Sequence, residues 1–130
     1  MNIKKWIIIS VIVSLILGTL LHFTYEWSGE NKFVAIFSAV NESTWEHLKL
    51  TFYPMTFMAL IGSFFIKKES SNYWFAQATG IVFSMAFITA FFYTYTGILG
   101  MNFLIIDIAS FVISVLVGEY IIYRLLLCKK

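Results

Sequence analysis

The sequence predicts an all-α membrane protein, a single domain over residues 1–130 with four transmembrane helices. Three observations predict this class. Hydrophobic residues make up 60% of the chain and charged residues 12%, about half of the charged share of roughly 25% in a soluble domain. The apolar residues occur in long blocks and not in amphipathic periods. Basic residues flank these blocks predominantly on one side of the expected membrane.

Four apolar blocks predict the spans. A helix needs roughly 17–25 residues to cross a hydrocarbon layer of about 30 Å. Backbone groups in lipid must be paired within the segment, which favours helices over strands. The second block is the least regular, because it contains Lys49 and also Pro54, where a kink is expected. The expected spans are about 6–25, 44–66, 73–96 and 101–127.

The connections between the spans differ in length. In "TGILGMN" we expect Gly97 and Gly100 to break the helix between the third and fourth spans. The long first connection contains "FVAIFSAV", which is too short to cross and predicts a short interfacial or re-entrant segment. Ser43 and Glu46 fit a capping box, so the second helix is expected to begin at Ser43.

The basic residues predict the orientation. With both termini cytoplasmic (N-in/C-in), only Lys32 and Lys49 lie outside, as the positive-inside rule expects. Trp6, Tyr73 and Trp74 are expected at the inner interface. The predicted location is therefore the plasma membrane, multi-pass, and the charges leave no reason to expect a nucleic-acid partner. The expected cytoplasmic basic residues are Lys4, Lys5, Lys67, Lys68, Arg124, Lys129 and Lys130.

Small residues recur at every fourth position within three of the spans. Such faces let membrane helices approach closely. We expect them to pack the four-helix bundle, and the alternative is a homodimer or a larger membrane partner bound through the same faces. The residues are Ser10, Ser14, Gly18, Ala76, Gly80, Ser84, Ser110, Ser114 and Gly118.

Polar residues concentrate in "VNESTWEHLKLTFYP" and near the outer end of the first helix. His22 and Glu26 are four residues apart and share a helix face. Asp107 is expected on the same side of the membrane, because ionisable groups within a span normally face a partner or a cavity. The predicted outward-facing ligand or ion pocket comprises His22, Glu26, Asn41, Glu42, Glu46, His47 and Asp107.

Several interpretations of this polar layer remain open. A divalent metal ion is one, because histidine and carboxylate suit zinc, iron or manganese. Its ligands would be His22, Glu26 and His47. Proton or ion handling is another, with His22 and Glu26 as a relay and with Asp107 and Glu119 as the candidates for a path inward.

A structural role and an enzymatic role are the other interpretations. In the structural one, Lys49 pairs with Glu46 or Asp107 and the polar cluster stabilises the bundle. The chain contains no catalytic motif of the membrane hydrolases, so no catalytic residue is predicted. Cys128 is the only cysteine, which excludes an internal disulfide.

Two phrases carry a resemblance to a known family. "HFTYEWSGEN" and "FSAVNESTWEHLKLTFYPM" contain a Tyr-Glu-Trp turn and an Asn-Glu-Ser-x-Trp-Glu-His run. In these the chain resembles a family of short integral membrane proteins of Gram-positive bacteria, catalogued as a domain of unknown function. The resemblance implies a bacterial plasma-membrane protein and implies no activity.

The expected function is ion or small-solute binding and transport through the outward-facing pocket. The alternative is a structural or accessory subunit of a larger membrane complex, and the third is a membrane-embedded metal-dependent enzyme. No cofactor is predicted apart from the divalent ion of that metal site.

Overall fold

The structure, a computed structural model, describes residues 2–27, 29, 44–101 and 103–128, without the side chains of residues 22–27, 44–47 and 50. Over these residues the chain forms four α-helices and no strand, which confirms the all-α class. The predicted interfacial or re-entrant segment lies outside the described residues. The helices are α1 (Ile3–Trp27), α2 (Thr44–Gly62), α3 (Tyr73–Leu99) and α4 (Leu104–Cys128).

Three of the described helices, α1, α3 and α4, are long and apolar enough to cross a membrane. In α2 the apolar stretch among the described residues is shorter, Thr51–Gly62. Large apolar side chains such as Phe64 and Ile105 are exposed, whereas several serines, an aspartate and a glutamate are buried. Exposed large apolar side chains together with buried acids are unusual in water, and they are compatible with lipid around the bundle.

The end of α2 differs from the prediction of a span to residue 66. The helix passes through Pro54 and ends at Gly62. Residues 63–66 then form a turn, and a 3-10 helix follows at Lys67–Glu69. A Cβ at Gly62 would lie 2.7 Å from Nε1 of Trp6 and 2.6 Å from the hydroxyl oxygen of Tyr73. Only glycine therefore allows α1 and α3 to approach this close to the end of α2.

The end of α3 is also displaced. Gly97 does not break the helix, which continues to Leu99. Gly100 does end it, with φ at 77° and its N–H donating to the Thr96 carbonyl oxygen at 2.8 Å. Glycine adopts this left-handed conformation without the steric cost of a side chain. One of the two glycines predicted to break the helix therefore does so.

α3 and α4 pack closely where two glycines face each other. A Cβ on Gly80 would lie 2.6 Å from the carbonyl oxygen of Gly118, and one on Gly118 would lie 2.8 Å from that of Gly80. All nine small residues of the predicted faces are buried within the single chain. A homodimer or larger partner, which remains a prediction, would therefore need another surface.

The aromatic residues predicted at the inner interface divide into two groups. Trp6 and Tyr73 are buried in the core, and the Tyr73 hydroxyl donates to the Ala59 carbonyl oxygen at 2.5 Å. Trp74 is 46% exposed, with Nζ of Lys67 5.8 Å from its ring centroid. Trp74 is thus available to an interface, whereas Trp6 and Tyr73 pack against the rest of the bundle, and the interfacial level predicted for all three stays a prediction.

Candidate functional site: a buried polar core

Buried serine, threonine and acidic side chains of the four helices line the interior of the bundle, and we call this set the polar core. It contains two carboxylates, Asp107 and Glu119, which are 4% and 3% exposed. They lie twelve residues apart on α4, a rise of about 18 Å along the helix. The members of the polar core, all buried, are Ser10, Ser14, Thr51, Ser84, Asp107, Ser110, Ser114 and Glu119.

The part of the polar core nearer the chain termini, which we call the inner part, is a hydroxyl–carboxylate pair. Oγ of Ser10 on α1 donates a hydrogen bond of 2.6 Å to Oε1 of Glu119 on α4. This length is in the range of a hydroxyl that donates to a carboxylate. Within the described part of the chain, Ser10 is the one hydrogen-bond partner of Glu119, and no cationic side chain pairs with it.

The middle part joins three helices at Ser114. Its Oγ donates to the carbonyl oxygen of Phe111 at 2.8 Å and lies 3.5 Å from Oγ1 of Thr51 on α2. Oγ of Ser84 on α3 donates to the carbonyl oxygen of Ser114 at 2.7 Å. Because the Ser114 hydroxyl already donates to Phe111, the Thr51 hydroxyl is the donor between them.

Ser14 lies between the inner and middle parts of the polar core. It lies one turn beyond Ser10 on the same face of α1, which is level with the residues between Ser114 and Glu119 on α4. Ser14 is fully buried, and its Oγ has no hydrogen-bond partner. An unpaired buried hydroxyl is uncommon in proteins, so this position is where a water molecule or an ion would find an oxygen ligand.

The part nearer the α3–α4 turn, which we call the outer part, is built on Asp107, in the first turn of α4. The hydroxyl of Tyr95 on α3 donates to Oδ1 of Asp107. The backbone N–H of Phe103 donates to the Tyr95 hydroxyl oxygen at 3.3 Å, and Oγ of Ser110 donates to the Asp107 carbonyl oxygen at 2.8 Å. These bonds fix the carboxylate across the α3–α4 turn.

The register of α1 and α4 places the backbone of His22 at nearly the same level along the bundle axis as the backbone of Asp107. α1 and α4 are antiparallel, and the Ser10–Glu119 hydrogen bond sets their register. Twelve residues further along α1 is His22, and twelve residues back along α4 is Asp107. Since both helices rise about 1.5 Å per residue, the two backbone positions lie at one level.

α2 brings its first turn to a similar height. It runs parallel to α4, with Thr51 level with Ser114. With a rise of about 1.5 Å per residue, the backbones of Glu46 and His47 on α2 are within about one helical turn of the level of Asp107 along the bundle axis. The backbone of three helices thus carries the candidate residues to the same end of the bundle.

Most side chains of the predicted pocket fall outside the described ones. This holds for His22, Glu26, Glu46 and His47, and Asn41 and Glu42 lie wholly outside the described residues. The pocket therefore stays a prediction. Of the predicted site residues, Asp107 and Glu119 are described, and both face the bundle interior.

The described residues contain no group of three or more histidine, cysteine, aspartate or glutamate side chains that could hold a metal ion. The metal site predicted at His22, Glu26 and His47 is therefore untested. A cleft of about 260 Å³ lies between the first half of α2 and the middle of α3. It is lined by Leu48, Lys49, Phe52, Tyr53 and Met85.

These features define a class of protein: a helical bundle with an apolar surface, a buried polar core containing two acids, and helices long enough to cross a membrane. The chain belongs to a family of unknown function, DUF6512, whose model matches residues 1–129. This membership confirms the resemblance to a domain of unknown function and assigns no activity. No curated protein and no solved structure matches the chain.

The hydrogen bonds of Asp107 with Tyr95 and of Glu119 with Ser10 were not predicted from the sequence. The pairing of Lys49 with Glu46 or Asp107 stays a prediction. The contact between Tyr95 and Asp107 could have been predicted. Two antiparallel helices joined by a turn, here at Gly100, bring residues at similar distances from the turn opposite each other. Ser10 was noted only as a small packing residue. Its partner Glu119 is 109 positions away, and nothing local in the sequence indicates that register.

Proposed function

We propose that this chain is a multi-pass plasma-membrane protein that binds a cation or small solute in an outward-facing pocket and passes protons or ions through its polar core. Glu119 is the inner binding group. The observation that carries the proposal is the burial of Glu119 with one hydroxyl donor and no cationic partner among the described residues. The outward pocket comprises His22, Glu26, Asn41, Glu42, Glu46, His47 and Asp107.

Energetics favour a functional role for Glu119. An ionised group at the centre of a membrane helix costs about 2.5–3.5 kcal/mol on insertion scales. Replacing buried ionic groups by apolar ones of similar size is often neutral or stabilising. A bundle that needed only packing at this position would therefore be served better by leucine, whereas an acid can exchange a proton for a cation.

Hydroxyl groups supply the route between the two acids. Each serine or threonine hydroxyl both donates and accepts hydrogen bonds, so the middle part of the polar core can relay a proton. Glu119 is turned towards α1, whereas Ser114 faces α2 and α3, and no hydrogen bond joins them. A water molecule bound to the unpaired hydroxyl of Ser14 would bridge this gap.

The register of the helices supports an outward pocket above the polar core. His22 on α1 and Asp107 on α4 lie at one level, and the first turn of α2 lies close to it. Histidine and carboxylate at one level provide groups that exchange protons near neutral pH. Solute or cation binding would thereby be coupled to the acids of the interior.

A flux measurement in proteoliposomes tests the proposal. The vesicles contain a pH-sensitive dye, and a potassium diffusion potential set with valinomycin drives protons inward. We expect proton entry above that of empty vesicles, and a loss of at least tenfold in Glu119→Gln. The matched control is Glu69→Gln, which changes an exposed acid outside the polar core. Equal flux in the wild type and Glu119→Gln, with sodium or potassium gradients also tested, contradicts the proposal.

Metal analysis tests the outer site separately. If a divalent ion binds at His22, Glu26 and His47, purified protein retains about one equivalent of zinc, iron or manganese. His22→Ala and His47→Ala would each lose it, while Glu119→Gln would keep it. If the purified protein binds no metal but still conducts protons, we would conclude that the outer pocket is a solute or proton site and not a metal site.

A further inference from the structure

We propose that the cleft between α2 and α3 at the end of the bundle that carries the termini is a binding site for one anionic phospholipid. The lipid phosphate would bind Lys67 beside Trp74, and one acyl chain would lie in the cleft. This site is separate from the polar core and does not depend on the proposed transport function.

The cleft has the shape and chemistry of an acyl-chain site. It has a volume of about 300 Å³ and opens to the outside of the bundle. Its walls are almost wholly apolar, and they combine side chains of α2 with side chains of α3. The lining includes Phe52, Leu60, Trp74, Ala78, Ile81 and Val82.

The length of the cleft matches one leaflet. It extends along α3 from Trp74 to Met85, eleven residues and about 16 Å of helix. Half of a hydrocarbon core of about 30 Å is about 15 Å. A lipid with its headgroup at Trp74 would thus place its chain along the whole cleft.

Polar groups lie where a headgroup would be. Nζ of Lys67 is 5.8 Å from the Trp74 ring centroid, and both residues are exposed. Tryptophan and lysine are the residues that anchor proteins at the headgroup level. Gln77, one turn further along α3, adds an amide to the cleft wall, and its N–H groups can donate to the ester oxygens of a phospholipid.

The charge of this end selects the lipid class. Exposed Lys4, Lys5, Lys67, Lys68 and Arg124 share it, with Glu69 as the exposed acid of the same loop. Clustered basic residues attract anionic lipids over zwitterionic ones. The occupant is therefore an anionic glycerophospholipid rather than phosphatidylcholine.

Native mass spectrometry of the detergent-purified protein tests the proposal, with added phosphatidylglycerol or phosphatidylcholine of identical chains. We expect one phosphatidylglycerol to remain bound at lower concentration than phosphatidylcholine. Lys67→Ala should weaken its retention about fivefold, the effect of one lysine near a membrane surface. Ala78→Trp, which fills the cleft from an exposed position, should abolish the bound lipid without unfolding the bundle.

Lys5→Ala is the matched control, because it removes an exposed lysine at the same end but away from the cleft. It should leave the retention of phosphatidylglycerol within twofold of the wild type. Equal loss in Lys5→Ala and Lys67→Ala would show a diffuse charge effect and overturn the site. Equal retention of both lipids, or retention that survives Ala78→Trp, overturns it as well.

Discussion

Ser10 on α1 donates a 2.6 Å hydrogen bond to Glu119 on α4, in the interior of the bundle. This bond sets the register of the first and last helices, and it holds an acid among side chains that are otherwise apolar or hydroxylic. Both the proposed function and the level of His22 relative to Asp107 follow from it.

Glu119→Leu should not destabilise the protein. Replacement removes the cost of burying a carboxyl group, about 2.5–3.5 kcal/mol when ionised, and the Ser10 hydroxyl can turn to the carbonyl oxygen of its own preceding turn. We expect a free energy of unfolding equal to or above that of the wild type, measured by chemical unfolding in mixed micelles. A loss of more than about 2 kcal/mol would instead show that the acid stabilises the bundle.

Gly80→Leu should destabilise the bundle by about 2 kcal/mol or more, because overpacking at a close helix contact forces the backbones apart. A Cβ at this position already meets the carbonyl oxygen of Gly118 at 2.6 Å. Gly97→Ala is the control, since its Cβ would meet nothing within 4 Å, and alanine should gain up to about 1 kcal/mol of helix stability. Thermal unfolding of the two variants in the same detergent measures the difference. The opposite order of stability would contradict the packing of α3 on α4.

Tyr95→Phe should loosen the α3–α4 turn. The variant lacks the hydroxyl that donates to Asp107 and accepts from the backbone N–H of Phe103. We expect a loss of about 1–2 kcal/mol, as for buried polar groups that lose their partner, and faster hydrogen exchange at the amide of Phe103. Tyr93→Phe removes an exposed hydroxyl, on a residue 63% exposed, and should change neither. Unchanged hydrogen exchange at the amide of Phe103 in Tyr95→Phe would show that the Tyr95 hydroxyl does not hold the α3–α4 turn.

Ser14→Ala reports on what occupies the interior beside Ser14. Its hydroxyl has no partner in the protein, so an empty site predicts that alanine stabilises the bundle by up to about 1–3 kcal/mol. A bound water or ion, which the proposed proton route requires, predicts the opposite sign. We therefore expect Ser14→Ala to lower the melting temperature and to slow proton entry into proteoliposomes. A higher melting temperature with unchanged flux would place the route elsewhere.

Local chemistry made some features predictable. Long apolar blocks and the basic flanks indicated four helices, and Gly100 was identified as a helix end because its conformation depends on its own backbone. Gly62 was not identified as a helix end, since its role comes from Trp6 and Tyr73 on other helices. The same tertiary contacts bury Trp6 and Tyr73, which composition alone assigns to the interface.

The candidate site was predictable in part. That Asp107 and Glu119 face inward follows from the cost of exposing acids to lipid, and the structure places both in the interior. Their partners depend on helix register, which no sequence period specifies. The hydroxyls of Ser10, Ser14 and Ser114 were visible as small residues, and their polar role emerged only when four helices brought them together.

Chemical labelling can show whether Glu119 is a protonatable acid buried inside the bundle. The hydrophobic reagent dicyclohexylcarbodiimide reacts with protonated carboxyl groups in apolar surroundings, whereas a water-soluble carbodiimide reaches exposed acids. The protein in membranes is treated with each reagent, and the modified peptides are found by mass spectrometry. We expect the hydrophobic reagent to label Glu119, at a rate that falls as the pH rises. We expect the soluble reagent to label the exposed Glu69. Labelling of Glu119 by the soluble reagent, or no labelling of it by either, would contradict a protonatable acid inside the bundle.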